Sequence, residues 1–159
     1  MDTLCTSRNL LVAVALIALT GPVLAQDAMK MTTVTPDALT YKANPAVKGV
    51  QAAVVIGDPA KAGEMFVVRV KIPPNTQIPA HTHPTAESVT VLSGSLYFGE
   101  GDKLDTQKGK LMKVGSYWFN PAKHAHFAWT TNEEAVVQNQ GIGPSLIDYI
   151  NPADDPRKK

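Results

Sequence analysis

The sequence predicts an all-β domain, closed into a barrel or folded as two packed sheets, and three observations predict it. Short apolar runs alternating every second residue recur from Val50 onward, turn signals separate them at close spacing, and no stretch of ten or more residues keeps a helical period. The clearest run is Glu64 to Ile72, where Phe66, Val68, Val70 and Ile72 share one face and Arg69 and Lys71 the other, so the apolar face should be buried. Further strands are expected at Gln51 to Ile56, Glu87 to Leu92, Ser95 to Phe98, Lys110 to Val114, Tyr117 to Phe119, His124 to Thr130, Ala135 to Gln140 and Leu146 to Tyr149. Gly57-Asp58-Pro59, Ser93-Gly94, Gly99-Glu100-Gly101-Asp102, Asn120-Pro121, Thr131-Asn132 and Gly143-Pro144 punctuate them. Eight or nine short strands at this spacing favour closure, which also removes exposed edges.

At 159 residues the chain has room for one domain. Residues 1–25 read as a signal peptide: ten apolar residues from Leu10 to Leu19, then Thr20-Gly21-Pro22 and a small-residue cleavage site, with the cut expected between Ala25 and Gln26. The run is far shorter than the roughly 20 residues that span a bilayer as a helix, so a periplasmic or secreted protein with no membrane attachment after cleavage is expected. The only cysteine, Cys5, lies in the removed segment, which excludes a disulfide framework. Residues 26–49 are expected as an arm along the barrel or on a partner subunit of a homodimer, residues 50–151 as the barrel, and 152–159 as a solvated tail. With 15 basic and 14 acidic residues the chain has a net charge of +1, which offers nothing to nucleic acid or an anionic surface.

All four histidines fall in two pairs, His81-Thr82-His83 and His124-Ala125-His126. Residues two apart on a strand point to one side, so each pair presents two imidazoles to one face, at a spacing suited to a shared ion. Glu87 follows across Pro84, and a strand starting there would aim its carboxylate into the same cavity with Val89 and Val91 beneath it. Imidazoles with one carboxylate suit one divalent transition-metal ion (Fe, Mn, Ni, Cu or Zn) better than Ca or Mg.

The run His81-x-His83-x-x-x-Glu87, with Gly94 after six intervening residues, is similar to the first cupin motif. Gly115, Pro121 and His126 are similar to the second. This resemblance covers about Ala53 to Ile150 and implies a double-stranded β-helix of jelly-roll type, with His81, His83, Glu87 and His126 as metal ligands. Three positions depart from the pattern: Asn75 and Lys123 stand where the motifs carry glycine, and Thr130 replaces a terminal asparagine. Asparagine tolerates the left-handed backbone such a turn requires. His124 shares the strand parity of His126, which makes it a candidate second-sphere group, proton shuttle or alternative ligand. Phe127 and Trp129 have the opposite parity and are expected in packing between sheets or subunits, whereas Tyr97, Phe98, Tyr117 and Trp118 are expected as core residues or pocket lining.

Two functions fit these residues. One is a metal-dependent enzyme acting on a small organic molecule, by dioxygenase-like or Lewis-acid chemistry. Lyase or isomerase chemistry is less favoured, because Val89 stands where some lyase cupins carry a tyrosine two residues after the glutamate. The other is a non-catalytic periplasmic protein that binds or senses a metal or small ligand, as implied by a likeness to the cupin domain attached to some anti-sigma factors.

Overall fold

A computed structural model describes residues 31–159, and the fold is that of the compact unit Thr33–Lys159. The segment expected as a signal peptide, its expected cleavage point, Cys5 and residues 26–30 lie outside the described residues. No helix among the described residues is long and apolar enough to cross a membrane. Among the described residues, helix is confined to three-residue 3-10 turns at Pro36–Ala38, Pro152–Asp154 and Pro156–Lys158.

Eleven strands form two antiparallel sheets. The first takes the order β1 (Lys42–Ala43), β2 (Gln51–Ile56), β3 (Met65–Ile72), β10 (Ala135–Ile142), β5 (Glu87–Ser93), β8 (Tyr117–Asn120). The second takes the order β11 (Asp148–Tyr149), β4 (Gln77–Thr82), β9 (His126–Trp129), β6 (Ser95–Glu100), β7 (Lys110–Lys113). Consecutive strands repeatedly change sheet, which is the double-stranded β-helix the sequence implied. Alternation explains the inner faces: Phe66, Val68 and Ile72 of β3, Val89 and Val91 of β5 and Val137 of β10 are all buried. Phe66 has no exposed area at all. Between the sheets the core gathers Ile72, Ile78, Val89, Val91, Leu96, Met112, Ala128 and Val137, with Ala46, Val47 and Val50 added from the chain around β1 and β2. Part of the segment expected as an arm therefore lies along the barrel, where Lys42 pairs with Ala52.

Two strands escaped the sequence reading: the two-residue β1, which falls in the segment expected as an arm, and β4. β4 carries Pro79, which has no N–H to give to a ladder, and the proline-rich turn before it also argued against a strand. Its pairing with β9 is irregular at that point: Ile78 opposes Ala128 and His81 opposes His126, so β4 advances three residues while β9 advances two. This bulge changes the phase of the strand. Ile78 before it and His81 after it both reach the inner cavity despite their odd separation, while Ala80 packs on the other face with Phe127 and Trp129.

The two residues that replace motif glycines both adopt the backbone a glycine would, with φ of 54° at Asn75 and 60° at Lys123. At Gly94 the glycine is kept for a second reason besides its φ of 65°: a Cβ there would lie 2.0 Å from the Glu134 carbonyl oxygen. Thr130, in place of asparagine, is buried and ties the β3–β4 corner. Its hydroxyl donates to the Pro73 carbonyl at 2.5 Å and accepts from the Thr76 N–H at 3.0 Å.

The carboxy-terminal segment, expected as a solvated tail, forms the two final 3-10 turns and buries Asp155, which accepts a two-pronged hydrogen bond from Arg157.

Candidate metal centre

His81 at the end of β4, His83 just beyond it and His126 at the start of β9 converge on one point between the sheets. Their ring centroids are 4.4 Å (His81–His126), 5.0 Å (His81–His83) and 5.1 Å (His83–His126) apart. One nitrogen from each ring lies within 4.8 Å of the other two, a grouping able to hold a metal ion, and all three side chains are buried. The cross-strand pairing of His81 with His126 creates half of this geometry, and the bulge at Pro79 supplies the phase that points His81 inward.

The opposite nitrogen of each ring is committed elsewhere. Nδ1 of His81 lies 2.8 Å from the Pro79 carbonyl, Nδ1 of His83 2.8 Å from the Leu146 carbonyl, and Nδ1 of His126 2.9 Å from the His124 carbonyl. A carbonyl can only accept, so each Nδ1 must carry the proton and each Nε2 presents a lone pair. Carbonyl-anchored imidazoles of this kind are the usual arrangement of metal-binding histidines. Burial, with the charges of His126 and His83, pushes the His81 imidazole down to about 3. Burial also lowers His126 to about 4, against the raising effect of its bond to the His124 carbonyl. Both rings are therefore neutral and ligand-competent at physiological pH.

Glu87 opens β5 in phase with Val89 and Val91, so its carboxylate enters the cavity as the alternation required. Its Oε1 lies 3.2 Å from His83 Nε2 and accepts from Asn139 Nδ2 at 3.3 Å, while Oε2 accepts from the Ser145 hydroxyl at 3.2 Å. With His83 Nδ1 protonated, the Nε2 lone pair faces a carboxylate oxygen, and a positive charge between them satisfies both. Three imidazole nitrogens and one fixed carboxylate fit a borderline divalent ion.

His124 does not join this group. The turn at Lys123 precedes it and β9 begins only at His126, so strand parity does not apply to it. Its side chain is 43% exposed and its Nε2 lies 3.0 Å from Glu100 Oε2 at the surface. What it gives the site is its carbonyl.

The centre opens into a cavity of about 300 Å³ with walls that are mostly aliphatic, joined by Phe98 and Trp118. Tyr97 instead stacks on Trp129 outside it, with centroids 4.9 Å apart, and Tyr117 faces solvent. Two of the polar residues on the cavity wall were legible but missed: Asn120 and Asn139 sit at inward positions of β8 and β10, where a polar side chain interrupts an apolar face. Asn120 Nδ2 approaches His126 Nε2 at 3.5 Å.

Two antiparallel sheets wrapped around a histidine centre that lines a mostly apolar cavity define a cupin. More particularly, the family model described as the ChrR Cupin-like domain matches residues 29–145, and the chain belongs to that family. It is 30% identical over 105 residues to Germin-like protein 3-1 of Oryza sativa subsp. japonica, a match covering 62% of this chain and 47% of the rice protein, so the chain spans about half the length of that relative. Among solved structures, the polyketide cyclase RemF from Streptomyces resistomycificus superposes with a TM-score of 0.66 at 18% identity, covering 81% of this chain and 92% of RemF. An RmlC-like cupin from Shewanella frigidimarina gives 0.56 at 12% identity, covering 72% and 93%. At these identities the likeness is one of fold.

Proposed function

We propose that the protein binds one divalent transition-metal ion (Fe, Mn, Ni, Cu or Zn) through His81, His83, Glu87 and His126, and acts as a metal-dependent enzyme on a small, largely apolar organic molecule. The observation that carries this reading is the convergence of three Nε2 lone pairs, each ring anchored through Nδ1, on the wall of a mostly aliphatic cavity. When bound, the ion would supply a Lewis acid, or a redox centre if it is iron or a similar metal. The chain's own residues do the rest. Asn139 and Ser145 fix the Glu87 carboxylate, and the cavity of about 300 Å³ has room for a molecule of about ten non-hydrogen atoms, taking the ~30 Å³ share of one water as the unit. Trp118 Nε1 and Asn139 Oδ1 are buried without a protein partner, and both residues line the cavity, where a ligand acceptor and donor would complete them.

One observation favours the second reading, a non-catalytic binding or sensing protein. The titratable side chains lining the cavity are the four proposed ligands and Arg157, which leaves no free carboxylate or imidazole to act as a general base. Cobalt-loaded protein separates the two readings: a visible spectrum that shifts with azide shows an open coordination position and supports the enzyme, whereas a spectrum indifferent to azide supports binding. If the protein takes up none of Fe, Mn, Ni, Cu, Zn or cobalt, the enzyme reading fails, and of the second reading only the binding of a metal-free small ligand is left.

Export to the periplasm and assembly as a homodimer belong to the same proposal. The ten-residue apolar run supports the first. The second is supported by β8, an edge strand whose Tyr117 and Phe119 are exposed. Amino-terminal sequencing of the periplasmic fraction and sedimentation of the purified protein test them.

A further inference from the structure

Residues 144–150 form a strap beside the centre and supply groups to it. The Leu146 carbonyl accepts from His83 Nδ1 at 2.8 Å, the Ser145 hydroxyl donates to Glu87 Oε2 at 3.2 Å, and Leu146 and Ile147 add to the cavity wall. His83 is thus oriented from the strap, and Glu87 in part, with Asn139 of β10 holding its other oxygen, whereas His81 and His126 are oriented from Pro79 and His124, outside it.

The strap has little to hold it by itself. Its only strand, β11, is two residues long, pairing Asp148 with Thr82 and Tyr149 with His81, and so short an edge ladder contributes little. Four further bonds come from the Ser145 N–H to the Pro59 carbonyl at 2.7 Å, the Ile150 N–H to the Ala80 carbonyl at 3.0 Å, the Tyr149 hydroxyl to the Ala46 carbonyl at 2.6 Å, and the Thr85 hydroxyl to the Pro144 carbonyl at 3.1 Å.

The remaining tie comes from the end of the chain. Arg157 Nη2 donates to the Ile147 carbonyl at 2.8 Å, next to the residue that anchors His83. The guanidinium is itself fixed by Asp155, with Nε 2.7 Å from Oδ1 and Nη2 2.9 Å from Oδ2, a planar fork on a buried carboxylate. Asp155 also caps the final turn by accepting from the Arg157 N–H at 3.0 Å. Arg157 is the one lysine or arginine that lines the cavity.

We infer that Arg157, locked by Asp155, is a positioning residue that latches the strap and through it sets the orientation of His83 and Glu87. The inference rests on the proposed metal centre for its effect on affinity, and on hydrogen bonding alone for its effect on the metal-free protein.

The two are tested separately. In metal-free protein, the Nδ1–H of each imidazole is followed by long-range nitrogen–proton correlation spectra in the unaltered chain and in R157Q and D155N. The expected result is faster solvent exchange at His83 alone, since the His81 and His126 anchors lie off the strap. Equal exchange at His83 in variant and parent overturns the latch. So does a uniform loss at all three rings, which marks a merely structural role. In parallel, Co²⁺ titration should show about a 10-fold loss of affinity in R157Q, the low end of what an outer-sphere change costs, with R157K intermediate because a lysine can reach the carbonyl but cannot form the fork. Unchanged cobalt affinity in both overturns the latch as well. A parent protein that takes up no Co²⁺ defeats the metal reading and leaves the exchange measurement to decide the latch. Should R157Q fail to fold, D155N and R157K carry the same comparison.

Discussion

His83 and Glu87 meet as two acceptors: the Nε2 lone pair of one lies 3.2 Å from Oε1 of the other, because the Leu146 carbonyl fixes the His83 proton on Nδ1. A divalent ion resolves that opposition. Glu87→Gln keeps the shape of the side chain and removes its charge, so metal affinity should fall by at least the 10-fold to 100-fold of an outer-sphere loss. Elemental analysis after dialysis against a weak chelator checks it, and full occupancy in the variant would remove Glu87 from the ligand set.

The two depressed imidazoles set an acid limit on the metal-free fold. His81 and His126 bind protons at about 3 and about 4 in the folded chain, against 6.5 as the ordinary value. Between those limits the unfolded chain holds more protons than the folded one, so stability falls as pH drops below about 6.5 and continues to fall towards 4 and 3. Thermal melts of metal-free protein from pH 7.5 to 4 should show a midpoint that declines steadily below 6.5. A flat profile over that range would contradict the burial of neutral rings.

Histidines 124 and 126 should separate cleanly. His126→Ala removes a converging nitrogen and is expected to cost at least 10-fold in metal affinity. His124→Ala removes only a half-exposed ring at 3.0 Å from Glu100 and keeps the carbonyl that anchors His126, so metal content should stay near that of the parent. Titration of both under one set of conditions decides it, and loss of the ion from the His124 variant alone would reverse the assignment.

The departures from the motif make opposite predictions for stability. Lys123→Gly relieves a left-handed lysine and should stabilise the fold by up to about 1 kcal/mol, since the strain is offset in part by the greater freedom of glycine in the unfolded chain. Thr130→Val leaves the Thr76 N–H and the Pro73 carbonyl without their partner and should cost about 1–3 kcal/mol. Urea denaturation of the two variants measures both. A destabilised Lys123→Gly would mean that the turn draws on the lysine side chain.

Alternation made most of the barrel legible. β2 was placed to the residue, β3, β5 and β8 to within one residue at an end, and the inward reach of Glu87 followed from its phase with Val89 and Val91. β4 was not legible, because Pro79 is a poor strand residue and the bulge it occupies breaks the two-residue period on which the reading depends. The same break limits what the His81-x-His83 spacing could say about direction. At His124 the period failed because the strand starts later than expected: the turn that carries the left-handed Lys123 precedes it, and β9 begins only at His126. The anchors from Ser145 and Leu146 lie 58 and 63 residues from the side chains they hold, a relationship no local pattern can carry. The inward asparagines, Asn120 and Asn139, were within reach of the periodicity argument and mark where an apolar face turns into a site.

Each imidazole anchored to a carbonyl has given up its choice of two tautomers and two ring flips before any ion arrives. For a free ring that choice is worth up to RT ln 4, so three rings together withhold up to about 2.5 kcal/mol of entropy loss from the binding step, or about 60-fold in affinity. The carbonyls of Pro79, His124 and Leu146 therefore contribute to metal affinity without touching metal, and they are backbone atoms, which side-chain substitution cannot remove.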